Sequence, residues 1–217
     1  MLKLPIKAGN VQNLTDARYF AAWEVQWMGF QIASDATDTI SPLQVKAIKE
    51  WVTGPLIAGE FGMEDLDFIR EMVQQLELQA IQLGRFADLV KTKNELDVTL
   101  IQQIVPESPL QLDEIDDHLS RQSLYADHFL LDFALNGISW AQLTGEDKHQ
   151  LERLRSWNAD YDIIWSFADL NAQSLADLEE KLSPQALQFV GGEEEKTGIK
   201  SFEDLDDLFE LLEDPIE

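Results

Sequence analysis

The residue most ready for chemistry is Asp132, the last of the run His128-Phe129-Leu130-Leu131-Asp132. A carboxylate at the end of a buried strand can serve as a general acid, or it can accept N–H bonds from the loop behind it. The residues alone leave both roles open. Gln82 closes a similar run, Gln79-Ala80-Ile81-Gln82-Leu83. With Asn10, Gln12 and Gln31 it offers neutral amides, either to a polar mouth or to loop backbone. Arg85 can bring positive charge to a ligand or pair with a surface acid. Gly191-Gly192 can let backbone N–H groups approach an anion, or can simply make a tight turn. The histidines, His118, His128 and His149, are scattered without ligand spacing, so no metal site is assigned. Cysteine is absent, which removes thiolate nucleophiles and disulfides.

These groups need elements to hold them, and the chain repeats one unit. An apolar run (Leu2, Leu4, Ile6) leads through a polar turn, which we read as free of acid, base or nucleophile, to a helix start at Asn13 or Thr15. Strands are expected at Trp27–Ile32, Pro55–Phe61, Gln79–Leu83, Val98–Val105, His128–Asp132, Tyr161–Ser166 and Ala186–Val190. Between them lie helical patterns. One starts at Ser41-Pro42, an N-cap with proline at the first helical position. Others cover Met63–Leu76, a weaker stretch to Glu95, Leu110–Leu124, Leu143–Trp157, Asn171 or Ser174 to Leu182, and Phe202–Leu212. Strand runs without clean alternation suit a parallel sheet covered on both faces. Eight such units imply a single-domain α/β protein, a (β/α)8 TIM barrel, with a doubly wound sheet as the alternative. Trp27 and Trp165, in strand patterns, are expected in the core or barrel wall.

The 217 residues carry 41 acidic and 16 basic side chains, a net charge of −25. That field repels nucleic acid and anionic membranes. The acid runs Asp113–Asp117 and Glu203–Asp207 keep helical apolar spacing and read as solvated helix faces. No apolar run approaches a membrane span, and the first residues lack a signal sequence, so a cytoplasmic protein is expected.

Taken in order, several motifs resemble the phosphoribosylanthranilate isomerase family, the tryptophan-pathway barrel. Lys7-Ala8-Gly9-Asn10-Val11-Gln12, followed by Asn13-Leu14-Thr15-Asp16-Ala17, is similar to its Lys-x-Cys-Gly-(Ile/Leu)-Thr segment and the Asp-Ala beyond. Gly29-Phe30, Ile40-Ser41-Pro42, Gln79–Leu83 and Leu130-Leu131-Asp132 fall in the family's order. So does Ala186 to Ser201. The resemblance covers about residue 5 to residue 212. It implies an Amadori rearrangement of a phosphoribosyl amine without a cofactor, a small phosphorylated sugar as ligand, and a monomer or homodimer.

Within that resemblance Asp132 takes the place of the general acid, whereas Gly9 holds the place of the cysteine base. Gly9 has no side chain with which to accept a proton. The arginine that faces the anthranilate carboxylate is replaced by Asp38, an anion, and the family's His-Gly aligns with Gly84-Arg85. The implied phosphate site falls on Ser166, Phe167, Ala168 and Asp169 after strand seven and on Gly191 and Gly192 after strand eight. Side chains there stand where bare backbone is needed, so phosphate binding is expected to be weak. A non-catalytic or repurposed barrel that binds a small molecule or protein partner is the other reading.

Overall fold

A computed structural model describes residues 1–33, 39–109, 112–145, 148–191, 194–196, 199–200 and 202–214. Its core is a closed barrel of eight parallel strands: β1 Ile6–Gly9, β2 Trp27–Gln31, β3 Leu56–Phe61, β4 Ala80–Leu83, β5 Thr99–Ile104, β6 His128–Asp132, β7 Ile163–Ser166 and β8 Ala186–Val190. Pairing of Ile6 with Leu187 through Gly9 with Val190 closes β1 onto β8. Around it run α1 Leu14–Ala22, α2 Pro42–Lys49, α3 Leu66–Leu76, α4 Leu89–Glu95, α5 Leu112–Gln122, α6 Trp140–Thr144, α7 Lys148–Asp160, α8 Ala172–Leu182 and α9 Glu203–Leu212. The fold is therefore the expected (β/α)8 barrel, and the doubly wound alternative is set aside. Among the described residues no helix is long and apolar enough to cross a membrane.

Local sequence explains where the helices begin. Asn13 Oδ1 accepts the N–H of Asp16 at 2.9 Å and starts α1. Ser41 and Gln44 form a reciprocal capping box around Pro42. Asp65 caps α3, which buries Ile69, Met72 and Leu76. Burial of each of those side chains contributes about 1.5–3 kcal/mol.

Four expectations shift. The first strand is not the Leu2–Ile6 run but Ile6–Gly9. Leu2 instead bridges to Glu213, and the Lys3 N–H donates to Leu212 O at 2.8 Å, so the first residues dock on the end of the chain. The helix expected over Leu143–Trp157 is two helices, because α6 ends at Thr144 before Gly145. Its start is a capping box of Ser139 and Gln142, a signal present in the sequence and overlooked. Finally, the acidic loop after β8 holds an antiparallel pair, β9 Glu194–Lys196 and β10 Ile199–Lys200.

The barrel's lower interior is apolar. Trp27, Ala58, Ala80, Ile101, Leu130, Ile164 and Ala186 pack together, one residue from each of seven strands. Trp27 thus lies inside the barrel, while Trp165 faces outward, with its indole N–H on Asn158 Oδ1 at 2.9 Å. Outward-facing residues meet the helices. Buried Gln102 on β5 has its Oε1 2.9 Å from Nε2 of His118 on α5.

Burial, reinforced by the nearby Arg85 and Arg121, pushes His118 down to about 4. The folded value lies below the ordinary 6.5, so the unfolded chain binds a proton before the folded one does. Stability from neutral His118 is then fully present above about pH 6.5 and is lost as pH falls toward about 4. On the order of 1–3 kcal/mol should separate the two limits. His118→Gln should flatten this part of the profile. The check is urea unfolding of both proteins across that window, with the difference between them read against pH.

Candidate functional site

Two residues beyond the apolar interior position on six strands, β3 to β8, the lining turns polar. Ala58 is followed by Glu60, Ala80 by Gln82, Ile101 by Gln103, Leu130 by Asp132, Ile164 by Ser166 and Ala186 by Gln188. A two-residue step returns a side chain to the same face of a strand. Lys7 joins this layer from β1, and Gly29 is its member on β2. Above the layer, at the C-terminal ends of the strands, opens a cavity of about 250 Å³.

Lys7 is fully buried. Its Nζ pairs with Glu60 Oε1 and donates to Gln188 Oε1 at 2.8 Å. Glu60 Oε2 accepts the backbone N–H of Asn10 at 3.0 Å, and Gln188 Nε2 reaches Ser166 Oγ at 3.5 Å. A hydrogen-bonded chain thus links β3, β1, β8 and β7. Gly29 makes room for it: a Cβ there would land on Glu60 Oε1 and lie 3.0 Å from Lys7 Nζ.

Gly9, Gln31, Gln82 and Asp132 line the cavity with Glu60, Gln103 and Gln188. A Cβ on Gly9 would meet Gln188 Oε1 at 2.8 Å, so the carboxamide of Gln188 fills the space beside this position. Asp132 is 5% exposed and held from two sides. Gln103 Nε2 donates to its Oδ2 at 2.8 Å, and the Leu135 N–H donates to its Oδ1 at 3.2 Å. Gln82 is 6% exposed, and its Oε1 finds no partner among the described residues.

Other sequence-marked residues sit elsewhere. Arg85 belongs to the adjoining β4 loop, where it pairs with Glu114 at 3.6 Å. Gln12 lies in a separate groove with Leu14, Ile40 and Trp51, not at the mouth. Ser166 is buried behind Gln188. Phe167 is an aromatic plug: its ring stacks 5.5 Å from Phe133 and 5.9 Å from Trp165, and meets Trp140 edge-on. The Ala168 N–H is committed to Ile138 O at 3.0 Å, and Asp169 adopts a left-handed φ of 53°. At the start of α8, Asn171 Oδ1 takes the N–H groups of Gln173 and Ser174 at 3.0 and 3.1 Å. Gly191 follows β8, while Asp38 and Gly192 lie outside the described residues.

Lys7, Glu60, Gln103 and Gln188 were not singled out from the sequence. The first turn is indeed flanked by an ionisable group, Lys7, contrary to the reading of that stretch as chemically empty. The signal that would have found these residues is the apolar-x-polar step at the end of successive strands.

With this geometry in view, the likeness to solved structures is direct. The phosphoribosylanthranilate isomerase from Thermus thermophilus shares the fold at a TM-score of 0.72 and 21% identity, over 95% of this chain and 97% of that one. The enzyme from Thermotoga maritima gives 0.72 and 18% over the same shares. A phosphoribosylanthranilate isomerase in complex with reduced 1-(o-carboxyphenylamino)-1-deoxyribulose 5-phosphate gives 0.70 and 17%, again over 95% and 97%. No protein-family model matches the chain. No curated protein matches it either. The likeness is one of fold, and it extends over 95% of the chain.

The role of Gly29 can be measured. Gly29→Ala should cost about 1–3 kcal/mol, the usual range for overpacking a filled interior. Gly62→Ala serves as the control, because its Cβ would meet only Glu64 Oε2 at 3.7 Å. That change should stay within about 0.5 kcal/mol of the parent. Urea unfolding of the three proteins is the check.

Proposed function

We propose that the chain is a phosphoribosylanthranilate isomerase-like barrel that keeps a small-molecule site at its mouth, with Asp132 standing at the place of the family's general acid, and that it does not run the parent rearrangement at a useful rate. The observation that carries this reading is the pairing of Asp132 at the cavity wall with Gly9 at the place of the base, where the Gln188 carboxamide occupies the adjoining space. A carboxamide is no base near neutral pH. A positioned base ordinarily contributes about 10²–10⁴-fold to such a proton transfer.

Binding of the parent substrate is opposed as well. The molecule held in one of the similar structures bears both a carboxylate and a phosphate. Here the N–H donors at the start of α8 are taken by Asn171, and Phe167 is packed into an aromatic cluster. Each backbone N–H withheld from an anion forfeits a charge-assisted bond of about 1.5–3 kcal/mol. Both losses bear on the transition state and should roughly add if the two places are independent.

The test is loss of phosphoribosylanthranilate fluorescence with purified protein. The expected result is no turnover above the buffer rate, for the native chain and for Gly9→Cys alone. In that variant the new side chain must first displace Gln188, and the N–H donors at the start of α8 are still taken by Asn171. Turnover near the rate of ordinary isomerases, abolished by Asp132→Asn, would overturn the proposal.

A further inference from the structure

The charge and hydrogen-bonding character of the mouth select a kind of ligand, and this step rests on the reading of the mouth as the ligand site. Glu60 and Asp132 bring two negative charges to the cavity wall, and Lys7 beneath it brings one positive charge. That positive charge is committed to Glu60 and Gln188. Asp132 has hydrogen bonds from Gln103 and Leu135 but no cationic partner among the described residues. A carboxylate offers about four lone-pair sites, so two remain for a ligand. No lysine or arginine lines the cavity among the described residues. Arg85, in the adjoining loop, is engaged by Glu114.

The second observation concerns the amides. Gln82, nine-tenths buried at the cavity wall, has an oxygen without a partner among the described residues. Asn10 Oδ1, also at the wall, is in the same condition. Buried polar atoms left unpaired are costly, and a turn of the Gln82 carboxamide toward the cavity would bring its sealed oxygen to a bound donor. Gln31, Gln103 and Gln188 add carboxamides able to bond hydroxyl groups in either sense. The net charge of −25 draws cations toward the protein and repels anions.

We infer that the mouth binds a small hydroxylated amine, its ammonium group on Asp132 and its hydroxyls among the carboxamides, and that it discriminates against phosphorylated sugars. The ligand class is thus opposite in charge to the molecule, with its carboxylate and phosphate, held by the similar isomerase structure.

Three probes of one shape and different charge test this: glucosamine, glucose and glucose 6-phosphate. Calorimetry with the whole protein near pH 6, where an amine of this kind is protonated, should rank them in that order. Glucosamine should bind at least about tenfold more tightly than glucose. Asp132→Asn should bring glucosamine and glucose level. Gln82→Leu should weaken both and keep the preference. The ranking in the unmodified protein decides the matter even if a variant fails to fold. Tightest binding of glucose 6-phosphate would overturn the inference, as would no preference for the amine, a preference that survives Asp132→Asn, or no binding of any probe. Turnover of phosphoribosylanthranilate would overturn the proposed function by a different measurement and leave this ranking to be read separately.

Discussion

The ion pair of Lys7 and Glu60, enclosed within the barrel beneath its mouth, is the interaction on which the site depends. Taking two charges out of water costs several kcal/mol for each ion unless geometry and further hydrogen bonds repay it. Here Gln188 supplies the extra acceptor for Lys7, and the Asn10 N–H supplies the extra donor for Glu60. Three neighbouring features follow. Position 29 must be glycine-sized, because a Cβ would strike the pair. Gln188 is turned toward Lys7, which places its carboxamide beside Gly9. Asn10 is drawn to Glu60 with φ at 48°, in the left-handed region that asparagine tolerates.

The same arrangement shapes the mouth of the barrel. Interior strand positions usually hold bulky branched residues in layers. In this chain the apolar layer ends at Trp27, Ala58, Ala80, Ile101, Leu130, Ile164 and Ala186, and a hydrogen-bonded polar layer begins above it. The space beside Gly9 is taken by Gln188. The β7 loop is held by aromatic packing around Phe167 and by the bond from the Ala168 N–H to Ile138 O. What remains open is a cavity bounded by amides and two carboxylates.

Much of the barrel was legible because local signals agree with the global fold. The β6 and β8 ranges read from the sequence are those of the structure, and Ser41-Pro42 starts α2 as its residue types dictate. Apolar runs say less about where a strand begins. Leu2 and Leu4 are as apolar as Ile6, yet they precede the barrel, because the first residues bond to the end of α9. The break between α6 and α7 was also legible, in Gly145 and in the Ser139–Gln142 capping box. Of the candidate site, Asp132, Gly9 and Gln82 were reachable through the resemblance and do line the cavity. Lys7 and Glu60 were not, since a lysine and a glutamate 53 positions apart announce no pairing until the strands are laid side by side. Gln12 misled because loop amides look alike in sequence, and only the fold turns it into another groove.

A double-mutant cycle on the buried pair tests the central claim most directly. Lys7→Met and Glu60→Leu, singly and together, would be followed by urea unfolding. Each single change leaves one charge buried without its partner and should cost about 3–5 kcal/mol. The double change removes both charges and should lie within about 1–2 kcal/mol of the native protein, far from the sum of the singles. Single losses that simply add in the double variant would contradict the account, because the two side chains would then stabilise the barrel independently.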